Sequence, residues 1–146
     1  MSRDHRKIRV FHDAHRLTLS IYKDTRAFPR DEWFGLRSQM RRAAVSVPSN
    51  IVEGSARRST REYLNALNVA RGSAGELGYL VGLARELEYL SESQSSELLH
   101  ACERVIPQLE ALITSVEIMV AKEEAARRQA RAPEPKAESP KPARRT

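Results

Sequence analysis

The chain reads as an all-α protein, an antiparallel up-and-down four-helix bundle, and three observations lead there. Hydrophobic residues make up 40% of the sequence but aromatic ones only 5%. Leu, Ala, Val and Ile must therefore fill the interior, which suits helix-on-helix packing better than a sheet. Tyr63, Leu67, Ala70, Ala74, Leu77, Val81 and Ala84 alternate four and three residues apart, the heptad register that bundles use. Two capping boxes, Ser59-Thr60-Arg61-Glu62 and Ser91-Glu92-Ser93-Gln94, each mark the start of a new helix. A length of 146 residues suits one domain that can bury a core without disulfides or metal.

Residues 1–11 read as a basic N-terminal arm, and the bundle occupies residues 12–130. Helix one is expected over 12–26, with Ala14, Leu17, Ile21 and Tyr22 at helical spacing and an aromatic staple at Phe11. Ala27-Phe28-Pro29-Arg30 forms a turn, with Phe28 anchored under the bundle end. Helix two is expected over 31–54, where Asp31 and Glu32 meet the positive N-terminus. Its core stripe is Leu36, Met40, Ala43, Ala44, Val47 and Ile51. A second apolar row, Phe34, Val45, Pro48 and Val52, predicts a second partner, so Phe34, Val45 and Val52 are the candidate oligomer interface. Pro48 deletes one helical hydrogen bond at a cost of about 3 kcal/mol, which packing on both sides must offset. Gly54 is expected to end the helix in the left-handed conformation.

Helix three is expected over 60–90. Gly72, Gly75, Gly78 and Gly82 lie close to one of its faces, each costing about 1 kcal/mol relative to alanine. They predict close approach by a neighbouring helix, from this chain or another subunit. Helix four is expected over 92–128 on the stripe Leu98, Cys102, Val105, Leu109, Leu112, Val116 and Met119, bent but not ended by Pro107. Residues 131–146, with Pro133, Pro135, Pro140 and Pro142 among charges, read as a disordered basic tail.

The stretch Gln39, Arg41-Arg42-Ala43, Val45-Ser46-Val47-Pro48-Ser49-Asn50-Ile51, Glu53-Gly54 resembles the signature of the four-helix-bundle proteins encoded by intervening sequences in bacterial 23S ribosomal RNA genes. The accessory proteins of diversity-generating retroelements share that fold. Matches at Tyr22, Phe28-Pro29, Glu32, Gly35-Leu36, Ser59, Glu62-Tyr63, Ala70, Gly72-Ser73 and Glu76-Leu77 extend the resemblance over Phe11 to Leu90. The tail beyond Val120 matches nothing. Phe11 stands where the family usually has tryptophan, and of the four helix-three glycines only Gly72 belongs to the pattern. The resemblance implies a homopentameric ring. It also implies, by analogy with the retroelement relatives, association with a reverse transcriptase and with nucleic acid.

Charge points the same way. The net charge is +6. Residues 72–120 carry two basic against eight acidic groups, so the front half and the tail hold the positive excess. This asymmetry predicts either a polyanion partner or contacts between oppositely charged faces of neighbouring subunits. Arg37, Arg41 and Arg42, with Arg57, Arg58 and Arg61, are the candidate nucleic-acid-binding residues, since guanidinium groups fork onto phosphate without reading sequence. Scarce aromatics argue against specific single-strand reading. The alternative is a protein-recruiting scaffold whose arginines serve assembly.

No phosphate loop, metal-ligand quartet or serine elbow is present, so no enzyme and no cofactor is expected. His12 and His15 lack supporting metal ligands. Glu53 and Glu76 lack the Glu-x-x-His partner of a carboxylate metal site. The structural motif is instead Pro48, Asn50, Glu53, Gly54 and Glu76, with Asn50, Glu53 and Glu76 bonding arginine or the carbonyls freed near Pro48. Cys102 shares the helix-four stripe and is expected to be buried and inert. The lone cysteine and the absence of an apolar leader or span predict a cytoplasmic protein with no membrane partner.

Overall fold

A computed structural model describes residues 3–146. Its four helices are α1 (Arg9–Asp24), α2 (Leu36–Ala56), α3 (Thr60–Glu86) and α4 (Glu92–Arg131), with 3-10 turns at His5–Lys7 and Arg30–Glu32 and no strand among the described residues. α2 packs on α3, α3 on α4, and α1 on both α2 and α4, leaving α1 opposite α3 and α2 opposite α4. This square follows from the connections. Three residues join α2 to α3 and five join α3 to α4, too few for anything but antiparallel neighbours.

Both predicted capping boxes form. Ser59 Oγ accepts from Glu62 N at 3.1 Å, and Ser91 Oγ accepts from Gln94 N at 3.0 Å. The α3 register also holds, since all seven of its heptad residues are buried. Phe28 is buried, with its ring 5.5 Å from that of Tyr89. On α4 the stripe shifts by one residue late in the helix: Ile113 and Val120 are buried, whereas Leu112 and Met119 are only half-buried. The shift follows from a straight helix of 3.6 residues per turn drifting against a strict seven-residue repeat.

Several boundaries differ from the sequence reading. α1 begins at Arg9, three residues before the predicted start, and the arm ahead of it folds back on the bundle. Arg3 donates from Nη1 to Arg57 O at 2.9 Å and from Nη2 to Thr60 Oγ1 at 2.6 Å. Phe11 packs edge-on against His5 and His12, at 4.9 and 5.2 Å, and stacks on His15. α2 begins at Leu36, five residues after the predicted start. Glu32 still serves its N-terminus, because Oε2 accepts from Leu36 N at 3.1 Å. α3 stops at Glu86, and Glu88 (φ 63°) takes the left-handed conformation expected of Gly54.

Gly54 lies inside α2, which runs on to Ala56, and has no positive φ. Its role is contact: a Cβ there would stand 2.8 Å from Ala66 Cβ and 3.0 Å from Tyr63 Cδ2. Pro48 is buried with the core stripe instead of joining the second row. Its missing N–H frees the Ala44 carbonyl, and the Thr18 hydroxyl of α1 lies 3.0 Å from that oxygen and 2.9 Å from Ala14 O, sharing its one proton between them. The four α3 glycines meet nothing of this chain within 4 Å of a Cβ, so no helix of the same chain supplies the predicted close approach.

Candidate nucleic-acid interface

The candidate arginines separate into two groups. Arg37, Arg41 and Arg42 lie in the first two turns of α2, whereas Arg57, Arg58 and Arg61 sit at the turn into α3. From Arg42 to Arg57 the helix rises by roughly 22 Å. The six therefore do not line one continuous surface.

The first group is built on two aromatic rings. Arg41 Cζ lies 4.5 Å from the centre of the Tyr22 ring, and Arg37 Cζ lies 4.4 Å from that of Trp33, with Arg30 Cζ at 5.6 Å from Trp33 as well. Trp33 is fixed by its indole N–H, which donates to Phe28 O at 3.2 Å. Arg41 is fixed more tightly. Its Nε donates to Thr25 Oγ1 at 3.0 Å and its Nη2 to Tyr22 O at 3.2 Å, so it closes the C-terminal end of α1. Burial first, then the Arg37 and Arg26 charges, press its pKa below the ordinary arginine value. Among the described residues none of Arg26, Arg30, Arg37, Arg41 or Arg42 lies within 4.0 Å of a carboxylate. Positive charge is thus concentrated there without a close ion pair, although Glu76 borders a depression together with Arg42.

Arg42 is exposed and borders a groove of about 340 Å³ lined also by Tyr22, Arg41, Val45, Ser46 and Ser49. Val45 and Val52 remain on the surface, at 39% and 36% exposure. Phe34 is 95% exposed but belongs to the turn before α2, so the predicted second row loses it as a helical member. A row continuous with Val45 would require the helix to begin earlier, but Gly35, between Phe34 and Leu36, has a non-helical backbone (φ −105°, ψ −112°).

The second group is partly neutralised. Arg57 Nη2 pairs with Glu53 Oε1 at 2.6 Å, and Arg61 pairs with Glu124 of α4. The Arg58 side chain has no ion pair among the described residues. Glu53 thus bonds arginine as expected. Asn50 takes the other expected course and bonds a backbone carbonyl near Pro48, whereas Glu76 does neither. Glu76 Oε1 accepts from Gln39 Nε2 at 3.3 Å, and Asn50 Nδ2 donates to Ser46 O at 2.7 Å. Ser46 and Ser73 then join α2 to α3 through their hydroxyls at 2.7 Å.

Sequence reasoning missed Trp33, Arg30 and Thr18 as parts of this surface, and placed Tyr22 at helical spacing with Ala14, Leu17 and Ile21 without its contact to Arg41; it is 41% exposed. A signal for Trp33 was available, since Arg30 and Arg37 flank it by three and four residues. Elsewhere, both His12 and His15 are exposed, and His12 Nε2 lies 2.8 Å from Arg6 O. Among the described residues no three His, Cys, Asp or Glu groups gather as metal ligands. Cys102 is buried, and burial pushes its thiol up to about 11. Among those residues, too, no helix is long and apolar enough to cross a membrane.

The fold and this surface define a small helical bundle whose proline-bearing second helix carries arginines backed by aromatic rings. Residues 6–111 match the family model for the 23S rRNA-intervening sequence protein, and the chain belongs to that family. It is also similar to a crystal structure of a protein of unknown function from the S23 ribosomal protein family of Bacteroides thetaiotaomicron. Identity is 22% and the TM-score 0.67, over 72% of this chain and 95% of that one, a likeness of fold. No protein of curated function matches this chain.

Proposed function

We propose that this protein is a non-enzymatic, homo-oligomeric nucleic-acid-binding bundle of the cytoplasm that holds RNA or DNA largely by its phosphates. The observation that carries the reading is the cluster of Arg30, Arg37 and Arg41 on the Trp33 and Tyr22 rings, with Arg42 beside Tyr22 and Arg41 in the adjoining groove and, among the described residues, no close ion pair to any of the four. Trp33 holds the Arg37 and Arg30 guanidinium groups by their faces and leaves their N–H edges free to fork onto a phosphate oxygen, whereas Arg41 directs Nε and Nη2 to Thr25 and Tyr22 and contributes mainly its charge. A ring of subunits, pentameric as the resemblance implies, would repeat the cluster and raise its field several-fold. The same resemblance supports a role as an accessory to an RNA or reverse-transcriptase complex.

Titration with RNA and DNA at two salt concentrations tests the reading, and no binding at low salt would overturn it. Arg37→Glu with Arg42→Glu is the informative variant, because Arg41 also holds α1 in place. Loss of binding at least tenfold with the oligomer intact is expected. A second reading, a protein-recruiting scaffold whose arginines serve assembly, draws on the exposed Phe34, Val45 and Val52. Dissociation of the same double variant into monomers would favour it.

A further inference from the structure

Three basic stretches that lie far apart in sequence meet at the end of the bundle opposite Trp33. Arg3, from the N-terminal arm, donates to Arg57 O and to Thr60 Oγ1, and the Thr60 hydroxyl donates to Glu123 Oε1 at 2.8 Å. Those contacts bring the arm, the α2–α3 turn and the last part of α4 together. Arg61 pairs with Glu124 at the same place. The Glu124 carboxyl is held below its ordinary range, by Arg61 first and then by Arg128 and Arg127. Of these three guanidinium groups only Arg61 lies within 4.0 Å of the carboxylate, so Arg127 and Arg128 have no ion pair of their own among the described residues.

α4 continues past Val120, its last buried residue, for another eleven residues, or about 16 Å. Arg127, Arg128 and Arg131, with Glu124, border a shallow depression of about 290 Å³ on the surface of this one helix. Arg127 and Arg131 lie one turn apart on the same side of the helix. Residues 132–146 follow fully exposed, adding Lys136, Lys141, Arg144 and Arg145 against Glu134 and Glu138. The negative C-terminus of a helix favours arginine in its last turn, but it does not account for the charge of the segment that follows. Arg3 and the whole α4 extension lie outside the residues that match the family.

We propose that this end of the bundle is a second contact for the phosphodiester backbone, separate from the Trp33 face and added to the family fold by this chain. The inference rests on the nucleic-acid reading above. The α4 arginines supply guanidinium forks carried on a helix, and the tail supplies diffuse charge whose counterions are released when it meets the strand.

The test compares the full chain with Arg127→Gln/Arg128→Gln/Arg131→Gln and with a chain ending at Arg131, by titrating a labelled RNA strand across a salt series. Both variants leave the buried core unaltered, and thermal melting checks that they fold. The triple variant is expected to bind about tenfold more weakly at low salt, and its slope of log affinity against log salt to fall by about 2 to 3. The shortened chain should show a smaller loss of the same kind. Should both variants bind as the full chain does while Arg37→Glu/Arg42→Glu abolishes binding, this second contact is refuted and the nucleic-acid function stands. A full chain that fails to bind at low salt refutes both. Polyglutamate bound as tightly as RNA by the full chain, and equally weakened by the triple variant, would overturn the assignment to a phosphate backbone.

Discussion

Gly54 in α2 and the glycines of α3 cost a helix the same backbone freedom, about 1 kcal/mol each against alanine, yet they stand in opposite surroundings. Gly54 is in contact with Ala66 and Tyr63 of the neighbouring helix, and a methyl group would not fit without displacing one of them. Gly72, Gly75, Gly78 and Gly82 look onto open space in the single chain. The helical prolines repeat the contrast. Pro48 is buried and its orphaned carbonyl is met by Thr18, whereas Pro107 is exposed. A weak helix former is thus explained inside the chain on the α2 side of the bundle. On the solvent faces of α3 and α4 it is not.

The strongest way to break this comparison is Gly54→Leu, expected to cost about 3 kcal/mol by overpacking the α2–α3 contact, as read from denaturant unfolding. A neutral result would mean that the two helices are not in close contact there. Thr18→Val keeps the shape of the side chain and removes the hydroxyl that the Ala44 carbonyl shares with Ala14 O. A loss of about 1 to 2 kcal/mol is expected, and a loss under a few tenths would show that water replaces the hydroxyl. Gly75→Ala should have the smallest effect, with stability rising by about 0.5 to 1 kcal/mol and the oligomeric state unchanged. If it instead lowers the melting temperature or dissociates the protein, another subunit approaches this stripe, and the two helices are alike after all.

Much of the fold was legible because its signals are local. A serine followed three residues later by Glu or Gln satisfies orphan amides wherever it occurs, and both boxes close as expected. The candidate site was legible only in its residue types. Arg37, Arg41 and Arg42 were found, but their different duties were not. Arg41 closes the end of α1, Arg37 rests on Trp33, and Arg42 borders the groove with Val45. These duties depend on how α1 and the 27–35 connection sit against α2, which no local pattern specifies. The early placement of α2 failed for a related reason: Asp31 and Glu32 fit a helix start, but the chain makes a 3-10 turn there and Glu32 serves the amide of Leu36 four residues on.

The sequence by itself determined four antiparallel helices, the capped starts of α3 and α4, the buried stripe of α3 and the segregation of positive charge to the front half and the tail. The tertiary structure alone decided that Thr18 answers for Pro48, that Gly54 is a contact and not a terminus, and that Arg3, Arg57 and the end of α4 share one place. Periodicity and capping are set within a turn or two of helix, where neighbours in sequence are neighbours in space. A pairing across helices depends on their rotation and axial offset, which the packing of the whole core fixes at once.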